Sequence, residues 1–176
     1  MRRKKFVSGF AASLAFVSLF ASCASNSRDS LLERATGTGT VKSRSVSLPS
    51  QLLGLAVSQE KLSKEILEVD RPYVDSVGIF SLRENDLLRA TLQVGHLNTI
   101  AQPKSKSFRD SVINLMGSTT PTELNIGGTA VYNTAGNKQS LFVWFKGRGF
   151  YVLSVHEDYE FPRTLLRRVL ELEQTL

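Results

Sequence analysis

The two histidines, His96 and His156, have the most versatile chemistry of any residues in this chain. Histidine serves as a general base or as a metal ligand near neutral pH. Glu157, Asp158 and Glu160 lie beside His156, and a neighbouring carboxylate can orient a histidine for either role. The spacing matches no zinc-protease pattern, and successive residues of a strand face opposite ways, so His156 and Glu157 diverge. We expect no metal site, and a site with both histidines would need two strand ends to be adjacent.

The serines and glycines form no motif that carries chemistry. No serine stands in the G-x-S-x-G or S-x-x-K pattern that marks a nucleophile. Gly127-Gly128 lacks the spacing of a phosphate-binding loop and is interpreted as a bend entering a strand. We therefore expect no catalytic residues and no cofactor.

Aromatic residues offer a second kind of site. The run Leu141 to Phe145 is apolar at every position, which is typical of a central strand covered on both faces. The alternative is a groove for an apolar or peptide ligand, lined by Phe142 and Trp144 together with Tyr132 and Tyr151, because large exposed aromatic surfaces mark binding sites.

Two groups of basic residues precede or lie within predicted helices. A solvated helix face is the simpler interpretation, and a basic surface towards anionic lipid or wall polymer is the alternative. The groups are Lys104, Lys106 and Arg109, and Arg163, Arg167 and Arg168.

The N-terminus has the layout of an export signal. Four basic residues, Arg2 to Lys5, precede an uncharged apolar run from Phe6 to Ala21, which ends at Phe20-Ala21-Ser22-Cys23. A basic region, an apolar region and small residues before a cleavage site define a secretory signal peptide. Cys23 is the only cysteine of the chain.

This segment resembles the signal peptide of bacterial lipoproteins. The resemblance implies that residues 1–22 are removed, that the Cys23 thiol is acylated, and that the acyl chains hold the protein on a membrane. Phe20 stands where the family usually has Leu. An uncleaved membrane anchor and a simple secretory cut after Ala21 or Ser22 are the alternatives. Ser8, Gly9, Ser13 and Ser18 dilute the apolar run, which is unfavourable for a spanning helix.

Removal of the signal changes the charge of the chain. The formal charge of +6 includes Arg2 to Lys5, and without them 18 Lys and Arg face 16 Asp and Glu, a charge of +2. This small excess does not indicate a nucleic-acid partner. Acylation of Cys23 would leave no free thiol, so we expect a fold that has no disulfide and no thiolate metal site and is held by hydrophobic packing alone.

The remaining chain divides into a linker and a globular part. Residues 23–47 are rich in Ser, Thr, Gly and Arg, which predicts a flexible tether that spans on the order of 25–30 Å. Residues 48–176 are predicted to form one globular domain.

Hydrophobic periodicity predicts five strands in the globular part and two amphipathic helices, with a possible leading helix from Ser58 to Val69. The β-β-α / β-β-β-α order indicates an α+β domain, with one antiparallel sheet of about five strands and two helices packed on one of its faces. The predicted strands are Val77 to Leu82, Leu87 to His96, Thr129 to Thr134, Ser140 to Lys146 and Phe150 to His156, and the helices are Ser107 to Met116 and Pro162 to about Gln174.

The segment from Gly127 to Leu172 is similar to the closing part of extracytoplasmic domains in some bacterial envelope regulators and lipoproteins. It contains a Gly-Gly-Thr-Ala-Val-Tyr strand, a tryptophan strand, a short turn and a terminal leucine-rich helix. The resemblance implies a sensing or binding domain without catalytic activity.

The sequence therefore predicts an extracytoplasmic lipoprotein that is anchored through Cys23 and binds an envelope protein or an apolar ligand. Two alternatives stay open. The first is a small envelope hydrolase that uses His96 or His156, and the second is an envelope lipoprotein with a purely structural role in assembly.

Overall fold

The computed structural model describes residues 42–43, 46–62, 74–99, 101–116, 119–136 and 138–173. The predicted signal peptide, Cys23 and residues 24–41 of the predicted tether lie outside this part. Within it, the chain forms nine strands and two helices. No helix in these ranges is long and apolar enough to cross a membrane.

The elements alternate hairpins with single helices along the chain. They are β1 (Lys42–Ser43), β2 (Gln51–Leu52), β3 (Leu55–Gln59), β4 (Val74–Glu84), β5 (Leu87–Leu97), α1 (Lys106–Met116), β6 (Thr122–Ile126), β7 (Thr129–Gly136), β8 (Gln139–Lys146), β9 (Gly149–His156) and α2 (Pro162–Glu173).

All strands belong to one sheet in the order β2-β3-β4-β5-β9-β8-β7-β6. Two antiparallel meanders, β2 to β5 and β6 to β9, join where β5 pairs with β9. Strand β1 lies off this path and runs parallel to β4, with Lys42 opposite Ser76 and Ser43 opposite Val77. The topology is thus built almost entirely from antiparallel neighbours, and each meander follows the chain order.

The predicted fold class is wrong. The domain is a β-rich fold with nine strands, where the sequence indicated an α+β domain of about five. The helices also lie on opposite faces of the sheet, since the buried residues of α1 and of α2 belong to separate core clusters. The β8 run from Leu141 to Phe145 explains why a helix lies on each face. All five of its residues are apolar, so both faces of this strand must be covered.

The five predicted strands and the two predicted helices are confirmed, most of them with ends one to three residues further out. Four short strands were not predicted: β1, β2, β3 and β6. The expected helix from Ser58 is wrong at its start, because Ser58 lies in β3 and its hydroxyl contacts the Ser81 hydroxyl at 2.8 Å. Residues 63–69 of that helix lie outside the described residues.

The sheet separates two cores, and each takes its name here from the helix that covers it. The α2 face buries Phe80, Leu82, Leu92, Phe142, Trp144 and Leu153 beneath Leu165, Leu166, Val169 and Leu170. The α1 face buries Val77, Ile79, Tyr132, Val143, Phe150 and Val152 beneath Val112 and Ile113.

Strand directions also define two ends of the sheet. At the apical end lie the β2–β3 turn (Leu53-Gly54), the β4–β5 turn (Asn85-Asp86) and the β9–α2 loop (Glu157 to Phe161). At the basal end β4 begins and β5 ends. Because β1 runs parallel to the start of β4, the chain enters the sheet from its basal end.

Candidate functional site

The four aromatic residues proposed as a groove do not share one surface. Phe142 and Trp144 lie in the core of the α2 face, where they are 2% and 0% exposed. Tyr132 is buried in the α1 face, on the other side of the sheet. Tyr151 is half-buried and stacks on Trp144, with ring centroids 5.2 Å apart and an angle of 6° between the planes. These contacts place the Leu141 to Phe145 run in the interior, as a central strand covered on both faces.

The two histidines lie at opposite ends of the sheet. In the β5–β9 pair, His96 is opposite Gly149 at the start of β9, whereas His156 is the last residue of β9. The strand ends that carry them are therefore not adjacent, and the two rings do not form a common site.

His156 is the histidine with a carboxylate neighbour. Its Nδ1 lies 3.3 Å from Asp158 Oδ2, an ion pair only when the ring is protonated, and 3.4 Å from the Asp158 backbone N–H. Ser154 lies two residues before it on the same strand face, but its hydroxyl donates to Gln139 Oε1. His156 could therefore act as a base that the Asp158 carboxylate orients. Among the described residues, no serine, threonine or cysteine is seen to hydrogen-bond to this ring as a nucleophile would.

A band of polar side chains crosses the α1 face. Ser81, Thr91 and Ser154 are opposite one another on β4, β5 and β9, and all are buried. Gln93 lies in the next row, is 3% exposed, and its Oε1 has no hydrogen-bond partner. Thr134 donates to the Thr119 carbonyl at 2.8 Å. The band is hydrogen-bonded at its ends and leaves one buried acceptor unsatisfied in the middle.

The two basic groups lie on different sides of the molecule. Arg163, Arg167 and Arg168 belong to α2, whereas the other three residues precede or belong to α1. The α1 group is partly engaged within the fold, since Arg109 Nη1 donates to the carbonyls of Pro103 and Lys104 at 3.1 and 3.2 Å.

Lys106 of the α1 group also has an internal partner. Its Nζ is 2.5 Å from Asp110 Oδ2, and this hydrogen bond raises the pKa of the Lys106 ammonium group. The six residues therefore do not form one basic surface.

Three large hydrophobic side chains are exposed in the described part of the chain, and all lie at the apical end. Leu53 is 47% exposed in the β2–β3 turn, Leu87 is 58% exposed at the start of β5, and Phe161 is 58% exposed before α2. Each comes from a different loop, and the pairing of β3 with β4 and of β5 with β9 places these loops side by side. Exposed apolar surface that is gathered in one place indicates an interaction site.

The apical loops are anchored by the fold beneath them. Tyr159 packs on the α2-face core and meets Phe161 edge to face, with ring centroids 6.3 Å apart. Burial raises the pKa of the Tyr159 phenol, and the nearby Glu84 carboxylate raises it further. Glu84 in turn pairs with Arg89 at 2.9 Å. Tyr159 thus packs against both the core and Phe161, and the Glu84–Arg89 pair braces the neighbouring β4–β5 hairpin.

A small cavity on the α2 face offers no second site. It has a volume of about 10 Å³ and a wholly apolar lining that includes Leu48, Leu52, Val169 and Leu172. That space is about enough for one water molecule, which the apolar walls could not bind. It is a packing gap between the start of β2 and the end of α2. No group of three or more His, Cys, Asp or Glu residues in the described ranges is arranged to hold a metal ion.

Comparison with known proteins gives no match: no family model, no curated protein and no solved structure is significantly similar to this chain. The resemblance of the signal peptide and of the C-terminal segment to lipoproteins therefore stays a prediction.

The apical end was missed by the sequence analysis. The β2–β3 turn has no common sequence signal, since Leu53 and Gly54 have φ values of 52° and 81° and a turn of this type rarely contains leucine. Nothing in the sequence showed that Leu87 and Phe161 would lie at the same end of the sheet.

Proposed function

We propose that this chain is a lipid-anchored extracytoplasmic binding domain without catalytic activity, held on a bacterial membrane through Cys23. The order of basic, apolar and small residues before a unique cysteine supports the anchor. An acyl chain attached at Cys23 acts as a membrane anchor because each buried methylene adds about 0.8 kcal/mol of membrane affinity.

The observation that carries the binding role is the apical end. Leu53, Leu87 and Phe161 are about half exposed or more, although the same fold buries its other large apolar side chains well in two cores. Three such side chains on neighbouring loops contribute little burial free energy to folding, and a partner that covers them gains that free energy on binding.

The anchor is tested by mass spectrometry of the intact protein isolated from cell membranes. We expect the mass of residues 23–176 plus an acylated glyceryl group, and we expect a Cys23→Ala variant to lack the lipid. An intact Met1 in the wild-type protein, or a lipid adduct on the Cys23→Ala variant, would show that the proposed anchor is wrong.

A further inference from the structure

We propose that the apical end docks a partner protein whose contact surface is apolar at its centre and carries Lys or Arg at its rim. This inference rests on the proposed function, because it assumes a domain held on a membrane by its N-terminal chain. Three arguments lead from the described residues to this occupant: the position of the attachment point, the charge of the loops and the shape of the support.

The attachment point lies at the opposite end of the sheet from the apical loops. The chain enters the sheet at β1, which pairs with the basal start of β4. The eleven residues of β4 then rise towards the apical end, a distance of roughly 35 Å. An anchor at Cys23 would therefore join the domain at its basal end, and the apical side chains lie at the far end of the sheet from the attachment point.

The charge around the exposed side chains distinguishes three possible occupants: a membrane surface, a second copy of this chain and a different protein. Glu84, Asp86, Glu157, Asp158 and Glu160 are exposed at the apical end. The exposed basic residues there are Lys138, in the β7–β8 turn beside the end of β9, and Arg163, in the first turn of α2. Two further apical arginines are half-buried and partly engaged, because Arg89 pairs with Glu84 and Arg83 donates to the Asp86 carbonyl at 3.1 Å. The loop that carries Phe161 is the most acidic part of this end.

An acidic rim is unfavourable for two of the three possible occupants. Anionic headgroups of a membrane would meet carboxylates, which repel them. A second copy of this chain would bring a second set of Glu157, Asp158 and Glu160 into the same interface, since an isologous contact uses one patch on both copies. A partner with a basic rim meets neither obstacle, and its charges complement the loop.

The packing of the apical loops holds the exposed side chains in place before a partner binds. Tyr159 packs on the α2-face core and meets Phe161 edge to face, and the Glu84–Arg89 ion pair joins the two strands of the neighbouring β4–β5 hairpin. Side chains on such supported loops lose little freedom on binding, which favours rigid docking of apolar anchors. We expect Leu87 and Phe161, the two most exposed, to contribute most.

The test uses the full chain in living cells, with the photoreactive residue p-benzoylphenylalanine placed at position 87. The same residue at position 114, where Asn114 is exposed on α1, is the matched control. We expect a covalent adduct with another protein at position 87, and an adduct at least about fivefold weaker at position 114 or after Phe161→Ser, as for a truncated hot spot.

Charge reversal tests the chemistry of the rim. Glu160→Lys at the apical end should weaken the adduct several-fold, whereas Glu171→Lys, an exposed carboxylate on α2 paired with Arg168, should leave it unchanged. The crosslinked peptide of the partner should contain apolar residues and Lys or Arg. Retention of the α2-face core in each variant is checked by the near-ultraviolet signal of Trp144 and Tyr151.

Several results would overturn the docking proposal: no adduct at position 87, an adduct of twice the chain mass, a lipid adduct, an acidic partner peptide, or an adduct insensitive to Glu160→Lys. If Cys23 is acylated and one of these results is found, only the docking proposal fails. If Cys23 is not acylated, the proposed function fails whether or not an adduct forms.

Discussion

All five buried polar residues of the described chain, Ser81, Thr91, Gln93, Thr134 and Ser154, lie on the α1 face, whereas the α2 face buries only apolar side chains. The α2 face is therefore stabilised by apolar area and close packing, which are not directional. The α1 face also depends on hydrogen bonds, each of which adds little when formed and costs more when left unmade. Residues of the same β8–β9 hairpin therefore belong to two cores, and we expect the stability of each core to respond differently to mutation.

The largest effect is expected on the α2 face. Trp144→Ala removes a fully buried indole that stacks on Tyr151, and should lower the free energy of unfolding by about 4 kcal/mol. Chemical denaturation measures this change. A loss below about 1.5 kcal/mol would show that the α2 face repacks freely, which would remove the contrast with the α1 face.

A steric substitution tests how tightly the apolar part of the α1 face is packed. A Cβ atom at Gly95 would lie 1.7 Å from Cε1 of Phe150, its cross-strand neighbour, so the ring would have to move. Gly95→Ala should cost about 2–3 kcal/mol in denaturation experiments.

The contact between Gly95 and Phe150 is isolated by a double variant. Gly95→Ala combined with Phe150→Leu should lose clearly less stability than the two single changes added together, because the smaller side chain leaves room for the methyl group. Additive losses would mean that the strain arises elsewhere on the α1 face.

Removal of one hydroxyl from the polar band should lower the free energy of unfolding by a smaller amount. Thr134→Val keeps the shape but removes the donor to the Thr119 carbonyl, at 2.8 Å, and should cost about 1 kcal/mol. Thr129→Val, at the basal start of the same strand, is the comparison variant and should change the unfolding free energy by less than about 0.5 kcal/mol. Equal effects of the two variants would argue against a special cost of polar deletion on this face.

The smallest change in unfolding free energy is expected at the centre of the band. Gln93→Leu removes a buried carbonyl oxygen that has no partner, and replaces it with an apolar side chain beside Ile79 and Val152. Stability should stay the same or rise by up to about 1 kcal/mol. A loss larger than about 1 kcal/mol would indicate that the amide group is held by a hydrogen bond that the fold needs, such as one to a buried water.

The regular elements of the domain were predictable where the periodicity is strong. Leu88 to Val94 alternate apolar and polar residues, and Leu165, Leu166, Val169 and Leu170 repeat at helical spacing, so β5 and α2 are confirmed. Strand β6 was missed because it is a five-residue edge strand with mostly exposed side chains. Strands β2 and β3 were missed because a turn through Leu53 has no common sequence signal.

The candidate site was predicted less well than the fold. Phe142 and Trp144 were candidates for a binding groove because they are large and aromatic, but the same property makes them good core residues. An amphipathic helix indicates that one of its sides is buried without saying which sheet face it meets, and so the cover over these rings was not predictable. The exposed residues Leu53, Leu87 and Phe161 are unremarkable as isolated leucine and phenylalanine in a sequence.

The sequence by itself determined the local structure: the strands of the two hairpins, the two amphipathic helices and the apolar run of β8. Each of these is set by the spacing of apolar residues close together in the chain. The sequence is also the sole basis for the proposed anchor at Cys23, since the described residues begin at Lys42. Only the tertiary structure decided the pairing of β5 with β9, the placement of one helix on each face and the meeting of three loops at the apical end. These features depend on contacts between residues far apart in the chain, which local periodicity does not encode.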